Sequence, residues 1–418
     1  VVPGETNQVV TATDAARPVH SLRGNRDFLL LWAGAGLSFL GSRISAFAYP
    51  LIVLWATGSA SEAGLVTFAA QLPYLVVQLP AGLIVDRFDR RTLMVFCDLG
   101  RLLAVGSIPV VLMVHGLNLV HLSVVAFVEG SLTVVYRITE RSALPSVVAE
   151  DQLTAATSRN EAREQAAGLL GQPGAGLLST LTQWAPFLVT VILHAVSLCT
   201  VLLIRKKLQA ERPTEPQRVY AALAEGLLWV WRHKFARAAA GLIAVSNLLF
   251  QVLLLAVLVI VRKGDGSQVV ASLVFAGAGV GGMAGALSAP WWIPRMTLPT
   301  LVIGANAVWA VLVPFAAFVR QPVLLGVLFG AMSFVGAVWT VGVGAYLVRI
   351  VPDHLRGRVT SVATLLAYGP IAFGSLAGGF AIQLVGVRGT VLAVSAVMIA
   401  LTALAAASPG VRSLPREK

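Results

Sequence analysis

The chain has 418 residues, 57% of them apolar and 12% charged, with a formal net charge of +12 at pH 7 and a mean hydropathy of +0.82. Soluble domains carry roughly 25% charged residues, and a single soluble core stops growing near 250–300 residues, roughly. The composition therefore excludes a cytosolic enzyme, a disordered chain and a disulfide scaffold, and it leaves lipid as the solvent for most of the chain.

Residues 1–27 are polar, carry Arg17, Arg23 and Arg26, and hold no apolar run of signal-peptide length. They read as a cytoplasmic N-terminal tail. Crossing ~30 Å of hydrocarbon takes about 20 mostly apolar residues per helix. Twelve segments qualify: 28–55, 62–85, 92–114, 118–136, 160–180, 184–204, 238–261, 268–293, 298–319, 322–348, 359–383 and 388–408. The one long charged interruption, 205–237, separates an N-terminal six-helix bundle (28–204) from a C-terminal one (238–408), and 409–418 form a second cytoplasmic tail. With both ends inside, 25 of the 31 Lys and Arg residues fall on the cytoplasmic side, a strong positive-inside bias. The expected fold class is an all-α membrane protein with twelve transmembrane helices in two pseudo-symmetric six-helix bundles. In proteins built from such repeats the site lies between the halves near mid-membrane.

Ionisable groups inside lipid are expensive, about 2.5–3.5 kcal/mol at a helix centre, so each is a functional candidate. Span 1 offers Arg43. Span 3 offers Asp98 and Arg101, whose i,i+3 spacing lets them pair on one face, read here as a structural ion pair. Span 4 offers Glu129, about 12 Å from Arg137 by helical rise. Glu129 is either a proton-carrying carboxylate or the counter-ion of Arg43. Cys97 and Cys199 sit in apolar runs and read as small buried hydrophobes. Span 5 carries Gly171, Pro173, Gly174 and Gly176, a bendable, close-packing stretch. His194 stands alone in span 6 and reads as packed.

The linker 205–237 contains an amphipathic stretch from Tyr220 to His233 whose Trp229 and Trp231 suit a membrane interface. In the second half, Asn247 and Gln251 share one face of span 7, either toward a cavity or toward a neighbouring helix. Gly277, Gly281 and Gly285 make a small-residue packing face on span 8. Trp339, about 15 Å from Arg349 along span 10, either stacks on a flat or cationic ligand or packs in the core. No phosphate-binding loop, nucleophile elbow or metal spacing occurs, so no cofactor and no metal are expected, and energy would come from an ion gradient.

The loop between spans 2 and 3 reads Gly82-Leu-Ile-Val-Asp86-Arg87-Phe-Asp89-Arg90-Arg91. Asp86 is expected near the start of span 3, where a carboxylate meets the positive helix end. Gly82, Asp86, Arg87, Arg90 and Arg91 match the signature of the major facilitator superfamily, with Asp89 in place of its second glycine. Three further stretches resemble the drug- and siderophore-exporter branch of that family: Gly24-Asn-Arg-Asp-Phe-Leu-Leu-Leu-Trp, Glu225-Gly-Leu-Leu-Trp-Val-Trp-Arg and Val351-Pro-Asp-His-Leu-Arg-Gly-Arg-Val. The span 5 glycines and proline resemble the antiporter motif of exporters.

The resemblance covers residues 23–410. It implies that the 2–3 loop gates inward opening, with Arg137 as a partner of Asp86, and that spans 1, 4, 7 and 10 line a central cavity. The expected function is proton-coupled export of an amphipathic or hydrophobic small molecule by a monomer in the cell membrane, with no nucleic-acid partner. The competing readings are an importer or facilitator of a polar metabolite on the same fold and a non-transporting scaffold or receptor.

Overall fold

A computed structural model describes residues 22–209, 219–352 and 355–412. Arg17, Arg212, Arg218, Arg416 and Lys418, together with the tail and linker segments around them, lie outside the described residues. So do Asp353 and His354 of the third exporter-like stretch. In chain order the helices are α1 (Arg26–Thr57), α2 (Ala60–Gln71), α3 (Pro73–Val76), α4 (Gln78–Arg87), α5 (Arg90–His115), α6 (Leu119–Val147), α7 (Leu153–Ser179) and α8 (Ala185–Leu203). They continue with α9 (Val219–Arg232), α10 (Lys234–Lys263), α11 (Gln268–Trp292), α12 (Leu298–Phe315), α13 (Pro322–Ile350), α14 (Arg356–Ala407) and α15 (Pro409–Arg412). No strand occurs among the described residues.

Among the described residues nine helices are long and apolar enough to cross a membrane, and Ala60–Val76 with Pro80–Arg87 makes a tenth span bent by 61°. The bend lies between Val76 and Pro80. Gly386, at φ 72°, splits the 52-residue α14 into two arms, a conformation that glycine adopts without Cβ strain. The twelfth rod is α7, whose first half is too polar to pass on composition. The rods match the twelve segments, with two corrections at the boundaries. Helix α6 runs on to Val147 rather than ending near 136, and α7 starts at Leu153 rather than near 160. The extension of α6 carries Arg137, Glu140 and Arg141, which pair with polar residues in the first half of α7.

In the first half α8 packs on α1 and α5, and α6 packs on α5 and α2. In the second half α11 packs on α13, and α14 on α10 and α12. The small-residue face of α11 explains its closeness to α13, since a Cβ on Gly281 would stand 2.0 Å from the Gly330 carbonyl oxygen. Amphipathic α9 lies on α14, where Arg358 pairs with Glu225 and Val230 packs with Val359 and Val362.

The halves meet through α2 against α14, α7 against α11 and, less extensively, α1 against α10. These approaches gather toward the end of the bundle where α1 finishes. Phe47 meets Phe275 edge-on at 5.4 Å, and a Cβ on Gly176 would stand 1.9 Å from Ser272 Oγ. This is called the far end below, and the end where α1 begins is the near end.

Candidate functional site

Two helices carry polar stripes at matching spacing. On α1 these are Ser38, Ser42, Ser45 and Tyr49; on α6 they are Glu129, Thr133, Tyr136 and Glu140. Steps of four and three residues keep each stripe on one helical face. The two helices run antiparallel with the stripes turned together, so Ser42 Oγ lies 3.3 Å from Thr133 Oγ1. At the far end of the stripes Glu129 is 3% exposed. Its Oε1 accepts from Ser45 Oγ at 2.5 Å and its Oε2 from Tyr49 OH at 2.6 Å.

Glu129 and Arg43 line one cavity of about 60 Å³ between α1, α2, α3 and α6, with Tyr49, Thr67, Gln71 and Tyr74. Arg43 is exposed, with its guanidinium 4.7 Å above the Phe39 ring. No ion pair joins it to Glu129, whose carboxylate is held by the two hydroxyls. A Cβ on Gly171 would stand 2.5 Å from Arg43 Cβ, so α7 presses on α1 at this point. Helix α7 runs unbroken through Pro173, with Gly174 near Ile44 and Gly176 at the α11 contact. The whole stretch thus bridges α1 and the other half.

Behind Glu129 lies a second group of polar side chains out of contact with water. Asp98 and Arg101 pair at 2.5 Å, with both side chains buried. Asp98 also accepts from Ser38 at 3.3 Å and Ser197 at 2.8 Å, and Arg101 lies 4.4 Å over the Tyr136 ring. The expected ion pair is therefore present, but it is wired into the α1–α6–α8 interior. His194, read from sequence as an isolated packed residue, is the link. Its Nε2 is 3.8 Å from Glu129 Oε1 and its Nδ1 3.9 Å from Asp98 Oδ1. On α8 the buried residues include Thr190, His194 and Ser197, a polar i, i+4, i+7 stripe in a mostly apolar helix that does carry a sequence signal. No metal-holding group of His, Cys, Asp and Glu occurs among the described residues.

Toward the near end, Glu140 is buried and accepts from Asn160 at 3.0 Å and Arg163 at 3.3 Å. Arg163 also donates to the Trp32 carbonyl at 3.1 Å. Glu164 takes Arg137 at 3.8 Å and Arg141 at 3.2 Å, and Arg141 reaches Glu161 at 3.1 Å. This lattice ties α6 to α7, and it corrects the expected Asp86–Arg137 pairing, since Arg137 is drawn to the carboxylate of α7.

Asp86 is exposed in the last turn of α4 rather than at the start of the next span, and it has no ion pair among the described residues. The carboxylate at a helix start is Asp89, whose Oδ1 accepts from Thr92 N at 2.9 Å and caps α5. Arg90 donates to the Leu208 carbonyl at 3.2 Å and Arg91 to the Leu202 carbonyl at 2.5 Å, while Arg87 is exposed and Gly82 has open space around it.

In the second half, Asn247 donates to the Ala367 carbonyl at 2.8 Å, and Gln251 packs on Gly374, so both turn toward α14. Trp339 is 4% exposed and meets Trp309 edge-on at 5.2 Å. None of these three lines the cavity of Arg43 and Glu129.

The chain matches the Major Facilitator Superfamily profile over residues 31–374. It is 28% identical over 403 residues to the multidrug efflux pump Tap of Mycolicibacterium fortuitum, covering 93% of this chain and 95% of that one. It is 26% identical over 179 residues to macrolide efflux protein A of Streptococcus pyogenes, covering 43% and 44% respectively. Among solved structures, the nucleoside transporter NupG superposes with a TM-score of 0.71 at 11% identity, over 91% of this chain and 98% of that one. A bacterial homologue of the iron transporter ferroportin, in an inward-facing state, superposes with a TM-score of 0.66 at 17% identity, over 91% and 99%.

Proposed function

The chain belongs to the Major Facilitator Superfamily, and from that premise we propose that it exports amphipathic or hydrophobic small molecules across the cell membrane in exchange for protons. The bundles 28–204 and 238–408 rock about the site by alternating access, joined by the linker 205–237. The near end, which carries the basic loops, faces the cytoplasm, and the transporter works as a monomer.

The observation that carries this reading is the placement of Glu129. A carboxylate that is almost fully buried, yet at the wall of a cavity, is costly when ionised. Two hydroxyls stabilise that charge, and a proton removes it. Arg43 and the rings of Phe39, Tyr49 and Tyr74 in the same lining suit a ligand with both polar and flat apolar parts. One proton crossing 100 mV releases about 2.3 kcal/mol, enough to sustain roughly a 40-fold substrate gradient. The export direction is supported by the efflux pumps among the relatives.

The test is pH-driven ethidium efflux from liposomes holding the purified full chain. Glu129→Gln is expected to abolish uphill efflux at normal protein abundance. Uphill efflux at the wild-type rate in that variant would overturn proton coupling through this residue.

A further inference from the structure

Asp98 and Glu129 bring two carboxylates into one almost fully buried cluster, and Arg101 brings a single positive charge. With His194 neutral the group carries one uncompensated negative charge, which is expensive in a medium of low polarisability. One added proton closes that balance. His194 is placed to take it, being fully buried with its Nε2 without a hydrogen-bond partner among the described residues and turned toward Glu129. Its other ring nitrogen lies 3.3 Å from Ser38 Oγ, which donates to Asp98.

Resting on the proton-coupled reading above, we propose that the proton is held in common by Glu129, His194 and Asp98, and that His194 passes it between the two carboxylates. An imidazole can accept at one nitrogen and release from the other. The proton leaves the Glu129 carboxyl and adds to Nε2, and the proton on Nδ1 leaves to Ser38 Oγ. The Ser38 hydroxyl proton then moves to Asp98 Oδ1. Each step moves one proton, and no other reactant enters.

The charged and titratable groups facing His194 are Asp98 and Arg101 from α5 and Glu129 from α6, while α1 presents the Ser38 hydroxyl. Glu129 opens on the cavity that holds Arg43. Ser38 and Arg101 line a smaller cavity of about 20 Å³ that runs on to Arg137 and Glu164. His194 therefore stands between a carboxylate at one opening and a hydroxyl at the other.

The experiment is an infrared difference titration of the purified full chain in detergent, following the carbonyl band of buried carboxylic acid, with ethidium efflux measured alongside. The wild type should show a titrating band that Glu129→Gln removes. In His194→Gln that band should shift by about one pH unit or more, and uphill efflux should fall on the order of 100-fold. Ser38→Ala, which removes one hydroxyl, should move the band in the same sense by less, and it keeps the test open if His194→Gln fails to fold. A Glu129 band that titrates identically in the wild type and in whichever of these variants folds would overturn the sharing, as would the absence of any titrating band. Failure of the proton-coupled reading is separate, because it appears as unchanged uphill efflux in Glu129→Gln whatever the infrared titration gives.

Discussion

Asp98 and Arg101, three residues apart on α5, bind each other at 2.5 Å with neither side chain reaching water. The pair survives burial because its remaining hydrogen-bonding capacity is also met, by Ser38 and Ser197 on the acid and by Thr133 and the Cys97 carbonyl on the guanidinium. Removing one partner leaves the other charged and unsolvated, which costs about 3–5 kcal/mol. Arg101→Gln should therefore lower the thermal stability of the detergent-solubilised protein sharply. The double variant Asp98→Asn with Arg101→Gln should recover most of the loss. Melting curves of the single and double variants check this, and an additive loss would show that the pair is not coupled.

The α6–α7 lattice separates a buried ion pair from exposed ones on the same two helices. Glu140 and Arg163 are both buried, whereas Arg141 and Glu161 are about half exposed. Exposed pairs contribute about 0–1 kcal/mol and are screened by salt. Arg141→Gln should change stability little, whereas Arg163→Gln should cost about 3–5 kcal/mol by stranding Glu140. Raising the salt concentration should move the melting temperature of the Arg163→Gln variant no more than that of the wild type. Equal losses in the two variants would contradict the assignment.

Asp89 occupies the position where the family signature has glycine, and its side chain caps α5 through Thr92. Replacing an N-cap Asp by Ala costs about 0.5–2 kcal/mol, and by Gly only a few tenths, roughly. Asp89→Gly should therefore be almost silent in stability while Asp89→Ala is not. Melting both variants side by side reads the difference. A larger loss for Gly than for Ala would mean that the turn, and not the cap, is what Asp89 serves.

Hydropathy alone located the spans, because lipid exposure demands apolar length and little else. The break near 383–388 was legible for the same reason, and Gly386 supplies its geometry. The end of α6 was not legible, since Glu140 looks like a loop residue until its pairing with Asn160 and Arg163 of α7 is seen. Glu129 and Arg43 stood out as charges in lipid. His194 did not, because a single imidazole is judged by its neighbours, and those come from α5 and α6. The repeated polar spacing on α1, α6 and α8 was present in the letters and would have predicted a shared polar interior. Asp86 was misplaced because the turn after α4 begins two residues later than the motif alone implies.

Gly64 marks where the two halves close at the far end. A Cβ there would stand 2.6 Å from the Ser375 carbonyl oxygen, and one on Gly379 would stand 2.7 Å from the Ala60 carbonyl oxygen. Both obstacles are backbone, so neither can move aside as a flexible side chain would. Gly64→Val would thus act as a wedge between α2 and α14 while leaving packing within each half intact. Gly281→Val is the contrast, since its obstacle is the Gly330 backbone within the second half. The expected outcome is a population shift in Gly64→Val toward separation at the far end, read as a longer distance between spin labels at Ser59 and Lys263, with a melting temperature near the wild type. Gly281→Val should instead lose stability and leave the distance unchanged. If Gly64→Val melts like Gly281→Val and shows the wild-type distance, the α2–α14 contact is a fixed part of the core and not a surface that opens during transport.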